Sequence, residues 1–168
     1  MIGKRLRNRC QALVEAVDVS QPFTARSLCG ILAEQRGRRL YVHPLPRDMN
    51  DEGTPCGVWL ATDVADHIFF EEHTSPFHQE HIIMHELAHM ICGHTIADLP
   101  AELDARILDD TADPQEIQQI LLRTSYSTDQ EQEAELVATL LLEKSARLGN
   151  KPGNAQELRL SSALGIKQ

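Results

Sequence analysis

Apolar residues recur at helical spacing from the start of the chain. Leu6, Cys10, Leu13, Val14 and Val17 form one stripe and Pro22 follows, which predicts an amphipathic helix ending near Asp18. A second helix comes quickly: Thr24 can cap its start, Leu28, Ile31 and Leu32 face one way, and Gly37 stands where a left-handed residue ends a helix. The period then shortens. "RRLYVHPLP" reads as a strand, and beyond the turn-rich "RDMNDEGTPCG" the runs "GVWLAT" and "DHIFFEE" lie close enough to form a hairpin. Ser75 and Pro76 then supply the N-cap and first residue of another helix, whose apolar positions include Ile82, Ile83, Leu87, Met90 and Ile91.

Further on, "AELDARILDD" and "PQEIQQILLRT" predict two short helices, with Pro114 opening the second. The longest helical run is "STDQEQEAELVATLLLEKSARL", capped by Ser127 or Thr128, with acids near its start and Lys144 and Arg147 near its end, as the helix dipole favours. From Gly149 onward, chain breakers come first and little core pattern follows. The expected organisation is one α+β domain over residues 1–148 and a mobile tail over 149–168. The domain would hold two N-terminal helices, a small three-stranded antiparallel sheet, the helix begun by Pro76 and a helical C-terminal half.

Composition narrows the functional classes. At 168 residues the chain can bury a core without disulfides or a structural metal, so a bound metal would serve function. The formal charge of −9 opposes phosphate binding, and no direct nucleic-acid partner is expected. Lys4, Arg5, Arg7 and Arg9, and likewise Arg36, Arg38 and Arg39, read as solvated faces. Cys10, Cys29, Cys56 and Cys92 are scattered with no CxxC pair, which suits a reducing compartment. Charges interrupt every apolar run, so neither a signal core nor a membrane span is expected, and the predicted location is the cytoplasm.

Five of the eight histidines fall in "HQEHIIMHELAHMICGH", residues 78–94. His85, Glu86 and His89 spell HExxH. Residues i and i+4 of a helix share a face about 6 Å apart along the axis, so two imidazoles can converge on one cation. Glu86 projects from a neighbouring angle, where it can take a proton from water held at a zinc ion and later return it to a leaving amine. Random ordering of this composition would give an HExxH in about 3% of sequences, so the capped helix and its apolar flanks carry much of the weight. His81 lies about 12 Å from His89 along the axis and cannot share its metal. His94 would lie about 140° round from the metal face, which suits a substrate-side donor better than a ligand. His43, His67, His73 and His78 show no partnering pattern and read as surface or structural residues.

A catalytic zinc takes three protein ligands and leaves a position open. Glu131, Glu133 and Glu135 compete for the third place. Glu131 shares a face with Ala134, Glu135 and Ala138, small residues that would let this helix approach the HExxH helix closely, so Glu131 is the preferred ligand and Glu135 the acceptor orienting a ligand histidine. Glu133 shares a stripe with Val137 and Leu140, and reads as solvating the helix's first turn.

The HExxH segment, the preceding "GVWLATDVADHIFFEE" and the downstream "EQEAELVATLLL" together resemble the ImmA/IrrE family of metallopeptidases, especially its short, stand-alone actinobacterial members, over about residues 5 to 145. The resemblance implies a zincin-like fold, zinc on two histidines and a glutamate, and the intervening glutamate as general base. These roles match His85, His89, Glu131 and Glu86. It also implies a protein substrate, a separate repressor of the helix-turn-helix type. Two features depart from the family: Leu142 leads into Glu143 and Lys144 where many relatives have a Leu-Met-Pro turn, and no fused DNA-binding domain is expected, so a regulator would be a separate chain. In zincin-like folds the strand before the metal helix commonly pairs with extended substrate; "DHIFFEE" is either that edge or an inner strand of a buried hairpin. Tyr126, Arg123 and His94 are candidates to stabilise an oxyanion. A different reading is a non-proteolytic metal-containing sensor or toxin-antitoxin component acting by protein binding.

Overall fold

The computed structural model describes residues 3–45, 55–94 and 98–150. Of the expected tail over 149–168, Gly149 ends α6 and Asn150 caps it, whereas 151–168, like 46–54 of the turn-rich segment, lie outside the described residues. Six helices and a small mixed sheet follow in the order α1 (Lys4–Glu15), α2 (Ala25–Arg36), β1 (Arg39–Pro44), β2 (Gly57–Thr62), β3 (Ala65–Phe70), α3 (Pro76–Cys92), β4 (Asp98–Leu99), α4 (Ala101–Leu108), α5 (Pro114–Arg123) and α6 (Thr128–Gly149). The punctuation read from the sequence is in place. Thr24 and Ser127 each close a capping box, Ser75 accepts from the His78 amide with Pro76 behind it, and Gly37 and Gly93 end their helices at φ 63 and 74. α1 stops short of its expected end, at Glu15, and α4 stops at Leu108, before the two aspartates of "AELDARILDD".

The sheet corrects the antiparallel expectation. Its order is β1-β3-β2-β4; β3 runs antiparallel to β2 as the hairpin predicted, but parallel to β1. The reason lies in β3, all six residues of which are buried. A strand covered on both faces belongs inside a sheet. With the hairpin's second strand in the middle and successive strands alternating in direction, β1 and β3 must run the same way. The same fact removes "DHIFFEE" as a free edge. The outer position falls to β2, which the two-residue β4 covers only at Ala61 and Thr62.

Two cores flank the sheet. Trp59, Ile68 and Phe70 pack with α1, α2, α3 and α6, whereas Val58, Leu60 and Phe69 pack with Leu103, Ile107, Ile117 and Leu121 of α4 and α5. Ala134 and Ala138 are buried on α6, which packs along α3 and α1. Lys144 donates to the carbonyls of Val14 and Val17, satisfying the open end of α1. Two of the three arginines at 36–39 are not simply solvated. Arg36 and Arg38 both reach the buried Asp66 carboxylate, and Arg38 also donates to the Thr62 and Ala65 carbonyls, pinning the hairpin turn.

Candidate metal centre

The α3 helix begins at the Ser75 cap and reaches the metal motif after about two turns, by which point Ile83, Met84 and Leu87 are packed in the larger core. That packing fixes the rotation of the helix and turns His85 and His89 towards α6. His89 is fully buried, whereas the His85 side chain keeps 19% of its exposure. Opposite them, the capping box at Ser127 sets the first turn of α6, which carries Glu131.

The three predicted ligands meet. His85 Nε2 lies 3.0 Å from Glu131 Oε2, His89 Nε2 lies 3.1 Å from His85 Nε2, and His89 Nε2 lies 3.6 Å from Glu131 Oε2. Ligand atoms about 2.0–2.1 Å from a tetrahedral zinc stand roughly 3.3 Å apart, so the spacing is that of one face of a coordination tetrahedron. The arrangement can hold a metal ion. Glu135 also takes its expected place, with Oε2 at 3.2 Å from His85 Nδ1. His81 reaches only Glu135, at 3.7 Å. His89 is held neutral, its pKa pushed down to about 3 by burial and then by the neighbouring His85 and His94. Neutral imidazole is the form that binds metal.

Glu86 lines the same cleft, about 330 Å³ in volume, with Gly57, His85, Glu131 and Glu135. Its carboxyl is pushed up to about 8, chiefly by burial and then by the charge on Glu131, with the Trp59 backbone hydrogen bond opposing. One oxygen, Oε2, is buried without a partner. Gly57 explains how the carboxyl fits against β2: a Cβ there would come within 2.5 Å of Ile82 Cγ2 and 3.1 Å of Glu86 Oε1. Tyr126 stacks on His89 with ring centroids 3.6 Å apart and planes 10° from parallel. Its hydroxyl is likewise buried and unpartnered, and its pKa is raised by burial and by the charges of Glu86 and Glu131. Two orphaned polar atoms beside a converging His, His and Glu set fit a site that a metal and its water would complete.

Sequence reasoning missed the layer behind His89. His94 is buried, with Nδ1 at 3.0 Å from His89 Nδ1 and Nε2 at 2.8 Å from Glu133 Oε2. Glu133 is only 6% exposed, which corrects its reading as a solvated first-turn residue. Arg9, counted among solvated charges, places Nε 3.2 Å from Glu133 Oε1. The available signal was the stripe Glu133 shares with Val137 and Leu140, which marks a buried face. Cys92 joins His94 and Glu133 in a second group with metal-ligand spacing. Burial, followed by the Glu133 charge, pushes its thiol up to about 12.

His67, read as surface or structural, is fully buried and accompanies His43 and Asp104 on the other face of the sheet. His67 Nε2 lies 2.6 Å from Asp104 Oδ1, and its Nδ1 lies 2.9 Å from His43 Nε2. Arg123 takes no part in the centre's described contacts. No helix among the described residues is long and apolar enough to cross a membrane. No protein-family model, curated protein or solved structure matches the chain.

Proposed function

We propose that the chain is a metal-dependent hydrolase acting on peptide bonds, a zinc metallo-endopeptidase of narrow specificity. In particular, its motifs favour membership of the ImmA/IrrE family, acting in the cytoplasm on a separate helix-turn-helix repressor. The observation that carries the proposal is the unpartnered Oε2 of Glu86 in the cleft lined by His85 and Glu131, which meet the buried His89. A metal serving structure alone would need no buried carboxylate beside its ligands.

In this reading His85, His89 and Glu131 hold zinc, which when bound would polarise the scissile carbonyl and acidify water. Glu86, which a cation on these ligands would shift back to its ionised form, takes the proton of the attacking water on Oε2 and returns it to the leaving amine, while the Trp59 backbone holds the carboxylate in place. The Tyr126 hydroxyl, close enough to Glu86 and Glu131 for both charges to raise its pKa, donates to the developing oxyanion. Gly57–Leu60 of β2 have no strand partner on their outer side among the described residues, and an extended peptide could add there beside the cleft.

The test is to incubate zinc-loaded wild type and Glu86→Gln with helix-turn-helix regulators from the same genome, following cleavage and zinc content together. Wild type should cut one regulator, and Glu86→Gln should keep zinc and lose cleavage by at least about 10²-fold, as loss of a general base implies. If Glu86→Gln retains zinc and every cellular effect of the wild type, the chain acts by binding, as a sensor or toxin-antitoxin component would.

A further inference from the structure

The two ligand histidines are oriented in different ways. His85 Nδ1 meets the Glu135 carboxylate directly at the exposed mouth of the cleft, where the Glu135 side chain is 54% exposed. His89 Nδ1 meets another imidazole instead, in a place closed to water: His89, His94 and Glu133 are 0%, 6% and 6% exposed. An imidazole is an ambiguous partner, because either nitrogen can carry its proton. Something must fix which one.

From this arrangement we infer that Arg9, Glu133 and His94 form a directional relay that holds His89 as a metal ligand, making His94 a positioning residue. A metal on His89 Nε2 leaves the ring proton on Nδ1. That proton can be donated only if His94 Nδ1 carries a lone pair, 3.0 Å away, which puts the His94 proton on Nε2. Glu133 Oε2 accepts it at 2.8 Å, and an ionised carboxylate can do nothing but accept. Its other oxygen, Oε1, has no hydrogen-bond partner and stands 3.2 Å from the Nε of the largely exposed Arg9, an ion-pair contact that closes the outer end of the relay. One set of tautomers therefore satisfies both hydrogen bonds of His94. Tyr126, stacked on His89, holds the plane of the ring that the relay orients.

The competing use of these groups is a second metal on Cys92, His94 and Glu133. The contacts favour the relay. Both ring nitrogens of His94 are engaged within the relay, Nδ1 at 3.0 Å from His89 Nδ1 and Nε2 at 2.8 Å from Glu133 Oε2, so a metal on His94 would have to break one of these bonds. The Arg9 guanidinium also occupies the side of Glu133 from which it would repel a second cation.

The inference rests on the zinc site proposed above, and its test is zinc affinity rather than catalysis. Zinc dissociation constants are measured by chelator competition on the full chain, with circular dichroism of the zinc-free proteins as the check on folding. His94→Leu removes the relay and should weaken zinc about 10–100-fold, the usual cost of losing the group that orients a ligand histidine. His94→Gln, whose amide can accept from His89 and donate to Glu133, should recover most of that loss. A merely space-filling role would reverse this order, favouring the apolar variant. Should His94→Leu not fold, the isosteric Glu133→Gln should still weaken zinc by neutralising the terminal acceptor.

Wild-type affinity in both His94→Leu and Glu133→Gln overturns the relay. So does a wild type that binds no zinc, or one that binds a second equivalent which His94→Leu loses while the first is unchanged. The peptidase reading fails separately, if zinc-loaded wild type cuts nothing while the His94 series still behaves as described.

Discussion

Glycine 57 shows how one residue's missing side chain makes room for chemistry. Any Cβ there meets Ile82 and then the Glu86 carboxylate. Gly57→Ala should therefore destabilise the fold by about 1–3 kcal/mol, the range for overpacking a filled site, and lower activity by moving the base. Urea denaturation read beside zinc content checks this; unchanged stability would mean that the strand and helix separate more easily than their packing implies. At this scale the meeting of His85 and His89 with Glu131 and Glu135 was legible, because helix geometry brings residues four apart onto one face and the small Ala134 and Ala138 mark the side on which the helices approach. His94 was not. The helix ends at Gly93 with φ 74, so the position of His94 follows from a left-handed turn rather than from 100° steps. Glu133 was hidden for a related reason, since the partner that makes its burial tolerable lies 39 residues earlier.

At the level of elements, the caps and apolar stripes placed every helix, because those signals are local. Sheet order depends on which strand is covered on both sides, a property of the packed molecule. The apolar run Ile68–Phe70 in β3 hinted at an inner position, but Asp66 and His67 precede it in the same strand and short apolar runs are ambiguous. Two element-level consequences can be measured. Ser127→Ala breaks the capping box at the turn before Glu131, and should cost about 1 kcal/mol of stability and weaken metal binding through fraying of that turn. Equal thermal midpoints for this variant and wild type would show that tertiary contacts alone hold the turn.

The second concerns β1 and β3. His43 has a pKa lowered from 6.5 to about 4, first by burial and then by His67, with Asp104 opposing; Glu72 and Asp110 face it across a cavity under α4 and α5. Between those pH values the unfolded chain binds a proton that the folded chain refuses. This contribution to stability is therefore full above about pH 6.5 and is lost as pH falls towards 4. His43→Gln keeps a donor for His67 and removes the titration, so its urea midpoint, measured metal-free, should fall less between pH 7 and 4.5 than that of wild type. Parallel curves would contradict the assignment.

In the whole molecule, one core joins α3 to α6 and a second lies across the sheet from it. The candidate site spans α3 and α6, so its occupancy and the fold are thermodynamically linked. A metal bound only by the folded chain adds about 4 kcal/mol at a thousandfold excess over its dissociation constant. The measurement closest to the central claim is the zinc content per chain of purified wild type beside Glu131→Ala, determined by elemental analysis after removal of loosely bound metal. The proposed site predicts one zinc per wild-type chain and a small fraction of that in Glu131→Ala. Zinc absent from wild type, or equally abundant in both, would contradict it.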